Sequence, residues 1–148
     1  MSAGGGPEVI RIAIPSRLDF LGILNHTISE LGDYLSLEEE VVDALAISVI
    51  EAGTNAIQHG SPSPNGKSVE FEFEISADEV VVCVRDDGPG FDLAKVASAS
   101  EGPDDIMESR GRGIFLMRSF MDSIDFVFGP DGGTTVELRK KRPSKTAQ

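Results

Sequence analysis

The sequence is short of cations, of cysteine and of long apolar runs, and each shortage removes a class of function. Lysine and arginine number 13 against 25 aspartates and glutamates, for a formal net charge of -12. A partner held chiefly through its phosphates needs Lys and Arg clustered on one face, because counterion release drives such binding, and no cluster of that kind occurs. Direct binding of nucleic acid is therefore not expected. The one cysteine, Cys83, cannot form an internal disulfide, and its place inside VVVCV leads us to expect a buried thiol in an intracellular protein. No segment approaches the roughly 20 apolar residues that span a bilayer, and MSAGGGPEVI carries neither a basic flank nor an apolar leader core. The expectation is a soluble, cytoplasmic chain without membrane contact. The sequon Asn25-His26-Thr27 matters only in a secretory compartment and is set aside.

What is present suits one domain, since 148 residues can bury a substantial core without staples. Residues 1–7 are expected to be disordered, 8–140 to form the domain and 141–148 to be a charged, fraying tail. EVIRIAI reads as an edge or terminal strand through Val9, Ile12 and Ile14, stopped by Pro15. Ser16 is expected to cap a helix over Arg17 to Leu31, with Leu18, Leu21, Ile28 and Leu31 at helical spacing and Gly32 as its stop. A second helix opens at Ser36, places Glu38, Glu39 and Glu40 at the positive end of its dipole, and runs to Gly60. Its stripe of Val41, Leu45, Val49, Ala52 and Ala56 faces one way, and Ile47, Ile50 and Ile57 face the other. A helix greasy on two flanks is wedged between layers.

SPSPNG is a turn-rich loop, and VEFEFEI alternates strictly, with Val69, Phe71, Phe73 and Ile75 inward and three glutamates outward. A turn near Ala77 and Asp78 returns the chain as VVVCVRD, a β-branched run suited to a central, more fully covered strand. From Phe91 to Arg110 small, polar and acidic residues make the stretch expected to be most mobile, a lid candidate. GIFLMRSFMD then has helical spacing, IDFVFG is a strand, DGG a turn and TTVELRK a last alternating strand. No internal repeat is visible. About five strands and three or four helices, with strands mostly adjacent in order, predict an α+β two-layer sandwich with a mixed, mostly antiparallel sheet covered by helices on one face. Rossmann and TIM orders do not fit, because strands and helices do not alternate.

Three polar motifs interrupt this pattern. In EAGTNAIQHG, Glu51, Asn55 and His59 lie four apart, so they form one stripe on a helix that otherwise borders a buried surface, where an unpaired carboxylate is costly. RDDGPGFD leaves the central strand with Asp86, Gly88 and Gly90 in a D-x-G-x-G arrangement, which alone is equally a tight turn. SRGRGIFL opens a helix with Gly111 and Gly113, leaving backbone N–H groups free to cradle phosphate oxygens. The dinucleotide fingerprint is excluded, because a third glycine is missing and no strand precedes.

In that order, EAGTNAIQHG, VRDDGPGFD, GRGIFLMRSFMD and GGTTVEL resemble the N, G1 and G2 boxes of the GHKL ATPase superfamily. Their spacing is similar to that of anti-sigma factor serine-protein kinases of the RsbW type, from Val9 to Lys140. The resemblance implies a Bergerat-type ATPase fold, ATP and Mg²⁺ as cofactors, and homodimerisation. It implies as partners a sigma factor and a small anti-anti-sigma (STAS) protein phosphorylated on serine. Asn55 would coordinate Mg²⁺ through its amide oxygen, and Glu51 would act as general base near the γ-phosphate. Asp86 would accept a hydrogen bond from the adenine amino group, with Gly88 and Gly90 letting the backbone approach the base. Gly111 and Gly113 would cover the phosphates, Thr134 would offer a hydroxyl, and Arg110 or Arg112 would meet γ-phosphate charge.

Other polar residues read more plainly. His59 serves equally as support for the metal site or as an imidazole at the negative end of its helix. Asp87 and Asp92 are turn formers. His26 is followed by Thr27 rather than an acidic residue and follows no dimerisation hairpin, so it reads as a helical surface residue and not a phosphoacceptor. Phe115, Met117, Phe120 and Met121 read as helix core rather than a Met-rich groove. Two rivals to the kinase stand: an ATP-binding docking module of the same fold, and the detached catalytic part of a histidine kinase.

Overall fold

A computed structural model of the chain describes residues 6–60, 67–91, 109–130 and 132–143. The glycine-rich start, the SPSPNG loop, the lid candidate between Phe91 and Ser109 with Asp92, Asp131 of the DGG turn and the end of the tail lie outside the described residues. Five strands, β1 (Glu8–Pro15), β2 (Ser68–Ile75), β3 (Glu79–Asp86), β4 (Ser123–Phe128) and β5 (Thr134–Lys141), make one sheet in the order β1-β2-β3-β5-β4. All four strand pairings are antiparallel, and the parallel element among the described residues is the isolated bridge Pro130–Gly132 outside the strands, so the sheet is antiparallel where a mixed, mostly antiparallel one was expected. Three α-helices, α1 (Leu21–Leu35), α2 (Glu39–Asn55) and α3 (Ser109–Phe120), pack on one face, giving the two-layer α+β sandwich.

The period of two in β2 decides which face is covered. Val69, Phe71, Phe73 and Ile75 are buried while the glutamates between them point away from the helices. Burying a side chain such as Phe71 or Phe73, each fully inaccessible, is worth about 1.5–3 kcal/mol. Val80, Val82 and Val84 of β3 and Val136 and Leu138 of β5 extend this floor. Over it lies α2, wedged as its two apolar flanks require, with α1 on one side and α3 on the other. In β1 the inward set is Ile10, Ile12 and Ile14, whereas Val9 faces out, because Glu8 pairs with Ile75 and this register fixes the alternation.

Several element ends differ from expectation for local reasons. Leu18 lies in a short 3₁₀ turn, Leu18–Phe20, exposed ahead of α1, with Arg17 and not Ser16 at its N-cap position; Ser16 is buried and its N–H donates to Lys67 O at 3.1 Å. Gly32 does not stop α1. It is buried in the helix because a Cβ there would stand 2.6 Å from Val42 Cγ2, so its role is close packing of α1 on α2. The stop falls on Ser36, which takes the left-handed conformation at φ 54° while Leu37 N–H donates to Gly32 O at 2.9 Å. Ser36 therefore closes α1 instead of opening α2, which begins at Glu39. The α2 ladder widens at its end into a π turn, Ala56–Gly60, so the helical path does reach Gly60. In α3, Met117 is core and Met121 just beyond it is buried, but Phe115 on the opposite side and Phe120 at the helix end are exposed.

Among the described residues no helix lies on the sheet's other face. Arg11–Glu72 at 2.8 Å, Arg85–Glu70 at 3.2 Å and Arg139–Glu79 at 2.8 Å cross it, each pair contributing at most about 1 kcal/mol in solvent. Cys83 lies on this face, half-buried among these stems and not in the core, because Val82 and Val84 take the inward positions. Burial first, then Glu137, Glu72 and Glu74, raise its thiol pKa, with Arg85 opposing.

Gly53→Ala should destabilise the fold by about 1–3 kcal/mol, because the added methyl meets Leu21 Cδ2 at 2.7 Å and Phe71 Cζ at 3.1 Å. Gly22→Ala, with nothing within 4 Å, should instead gain up to about 1 kcal/mol of helix propensity. Urea unfolding reads both, and equal signs would contradict the packing described. At about pH 8.5, the usual thiol range, iodoacetamide should alkylate Cys83 more slowly than free cysteine. Glu137→Gln should quicken the reaction without restoring the free rate, since burial is the larger cause.

Candidate active site

The last turn of α2 carries Glu51 and Asn55, one above the other and both half-buried. Neither sits among solvent-facing charges. The first turns of α3 lie against them: a Cβ on Gly113 would stand 2.8 Å from Glu51 Oε1 and 3.2 Å from Asn55 Nδ2. Gly111 and Gly113 are both buried there, so the glycines let the α3 backbone close directly on the two polar groups. On its other side Glu51 borders a groove of about 490 Å³ between α1 and α2, floored by Leu21, Ile47 and Ile50 with Asn25 at its edge.

A second group forms where β3 leaves the sheet. Asp86 is buried on the helix-facing side and pairs in register with Thr134, itself buried. The Asp86 Oδ1 accepts the N–H of Gly88 at 2.7 Å, an Asx turn that sends the chain sharply off the strand. Gly90 has φ 84°, which only glycine adopts readily, and a Cβ there would meet Phe128 at 3.1 Å and Thr134 Oγ1 at 3.7 Å. Phe91 follows, edge-on to Phe126 at 5.4 Å and to Phe128 at 5.3 Å, pinning the start of the next segment to β4. Asp87 is exposed on the turn.

These two groups share one end of the sandwich. Gly53, midway between Glu51 and Asn55, packs on Phe71, and Phe71 pairs with Val84, two residues before Asp86. The π turn after Asn55 also contacts β3 directly. Thus Glu51, Asn55, Gly111 and Gly113 gather on the helix side, and Asp86, Gly88, Gly90 and Thr134 on the sheet side. Arg112 projects outward and exposed, while Arg110 is placed by its backbone alone, in the first turn of α3. His59 is exposed on the π turn and His26 on α1.

The electrostatics at the junction are of mixed sign. Glu51 brings a carboxylate to the junction, and the first turn of α3 turns the positive end of a helix dipole toward it. A cation and an anion side by side suit that meeting. Among the described residues no three His, Cys, Asp or Glu side chains gather as a metal cage. The carboxylate of Glu51 and the carboxamide of Asn55 fit a hard cation such as Mg²⁺, which keeps waters and phosphate oxygens in its shell. The sequence placed these glycines in the DGG turn and in the GGTTVEL segment of the resemblance but gave Gly133 no role of its own, yet its N–H donates to Gly88 O at 2.6 Å and so it belongs to the sheet-side group. A repeated glycine before Thr134 was the available signal.

The fold, with these two polar groups at one end of it, is that of an ATPase domain of the histidine kinase type. Residues 14–140 match the family model for the histidine kinase-like ATPase domain, and the chain belongs to that family. Similar proteins include the serine-protein kinase RsbW of Bacillus pumilus (strain SAFR-032), 30% identical over 142 residues, which cover 90% of this chain and 85% of that one. RsbW of Bacillus subtilis (strain 168) is 28% identical over 79% of this chain and 76% of its own. A crystal structure of the RsbU and RsbW domains of a Mycobacterium tuberculosis protein superposes with TM-score 0.66 at 14% identity over 93% of this chain. This chain spans about a third (33%) of that longer one, and the likeness establishes the fold. No helix among the described residues is long and apolar enough to cross a membrane.

Gly113→Ala should leave the unfolding free energy within about 1 kcal/mol of the parent, since the helix gains propensity and the obstructing Glu51 tip is flexible. ATP affinity should nevertheless fall about tenfold as the helix-side pair is displaced. Calorimetric titration and thermal unfolding of the same sample separate the two effects.

Proposed function

We propose that this protein is an ATP-dependent serine-protein kinase and anti-sigma factor of a partner-switching module. In this reading it is a cytoplasmic homodimer that sequesters a sigma factor and phosphorylates a serine on an anti-anti-sigma (STAS) protein. The observation that carries the reading is the closure of the Gly113 backbone on Glu51 and Asn55, at the sheet end that bears Asp86 and Thr134. The relatives named serine-protein kinase RsbW support it.

Each residue then has a task. Asp86 accepts the adenine amino hydrogen, and Gly88 and Gly90 bring the backbone close to the base. Thr134 offers its hydroxyl from β5. Gly111 turns its N–H toward the phosphates while Gly113 lets the helix close over them, Arg110 or Arg112 meets the γ-phosphate charge, and Asn55 would hold Mg²⁺, which would neutralise charge on the phosphates when bound. The acceptor serine reaches Glu51 from the α1–α2 groove that this residue borders. Its oxygen attacks the γ-phosphorus, the bond to the β–γ bridging oxygen breaks, ADP leaves and the hydroxyl proton passes to Glu51. A module that docks without transfer has no use for a base at that position.

Incubation with γ-labelled ATP and candidate acceptors tests this. Acid-stable label on a serine of a STAS protein is expected; acid-labile label would indicate histidine transfer, and tight ATP binding without transfer would leave a docking module. Glu51→Ala should cut transfer by about 10²-fold or more while ATP affinity stays near the parent value. Asp86→Asn should weaken ATP binding itself by about tenfold or more. Equal loss of binding in both variants would refute the division of roles.

A further inference from the structure

Two glycine-rich segments, distant in sequence, interlock at the exit of β3. Gly133 N–H donates to Gly88 O at 2.6 Å, shorter than the usual backbone bond, while Gly129 N–H donates to Gly133 O at 2.9 Å and Gly132 N–H to Gly129 O at 3.2 Å. Gly132 and Gly133 have φ of 102° and 92°, a region closed to most side chains. A Cβ on Gly133 would stand 3.2 Å from Asp86 O, and one on Gly132 would stand 3.5 Å from Gly88 O. The pairing of Asp86 with Thr134 brings Gly133 beside the exit of β3, yet its bond reaches Gly88, one residue beyond the position that this register puts opposite it. That offset asks for a reason.

The reason lies in how Asp86 is held. Its Oδ1 is committed to Gly88 N–H at 2.7 Å, so the plane of the carboxylate follows the position of Gly88. Gly88 in turn is fixed from across the sheet end by Gly133. We propose that Gly133, with Gly132 beside it, is a positioning residue. It sets the direction of the Asp86 carboxylate and thereby the discrimination between purine nucleotides that bear a 6-amino group and those that do not. This rests on the reading of Asp86 as the adenine-binding group.

The test compares the affinity of the full chain for ATP with its affinity for purine riboside triphosphate, which carries hydrogen in place of the 6-amino group. The parent protein should prefer ATP by about tenfold or more, as expected for one hydrogen bond to a charged group. Asp86→Asn should remove the preference, and if the parent shows none the reading of Asp86 fails while the present inference falls with it by a recognisably different result. Given a preference in the parent, Gly133→Ala and the milder Gly132→Ala should bring the ratio toward unity, mainly by weakening ATP, whereas the Gly22→Ala control should keep it. A retained ratio in either folded glycine variant would overturn the proposal. So would failure of both to fold, read by circular dichroism, since the turn would then be a folding element only.

Discussion

Everything at the candidate site depends on the close approach of the start of α3 to Glu51 and Asn55 on α2. The α3 backbone at Gly113 comes so near these two side chains that a single methyl group would meet the carboxylate at 2.8 Å. Potential at the start of a helix fades within about one turn, so this proximity decides whether the α3 end and the two polar groups act on one ligand or two. The sheet below fixes the distance, through Gly53 seated on Phe71 and Phe71 paired with Val84. A small residue inside α2 is thus as much a part of the site's geometry as the polar residues flanking it.

Much of the fold was legible because its signals are local and periodic. The strict alternation of VEFEFEI, the β-branched run of β3 and the two apolar flanks of α2 each follow from the requirement that one face be dry, and the strands and helix they predict are present. The glycines were read less well. Gly32 looked like a helix stop, but a glycine that ends a helix and one that lets two helices touch are the same letter, and only the neighbour, here Val42, tells them apart. Ser36 adopted the left-handed conformation that composition would assign to Gly32.

Cys83 illustrates the other kind of miss. In a run such as VVVCV every position looks interior, yet a strand has two faces and the helices cover only one. Register with Glu72 and Glu137 puts the thiol on the open face, where aliphatic stems of charged residues half-cover it. At the site, the motifs indicated which residues would gather but not how they are held. The tie from Gly133 to Gly88 is a contact between two backbones and leaves no trace in residue type beyond the glycines themselves.

The pairing of β3 with β5 has a consequence for how the molecule comes into being. Strand β3 finishes at Asp86 and its partner begins only at Thr134, after the whole intervening segment has been made. Closing so long a loop costs entropy before any ladder bond offsets it, which places this pairing late in folding. During synthesis, then, a nascent chain that already has its first three strands still lacks Thr134 and Gly133 beside Asp86, and this end of the sandwich is completed only when β5 has emerged.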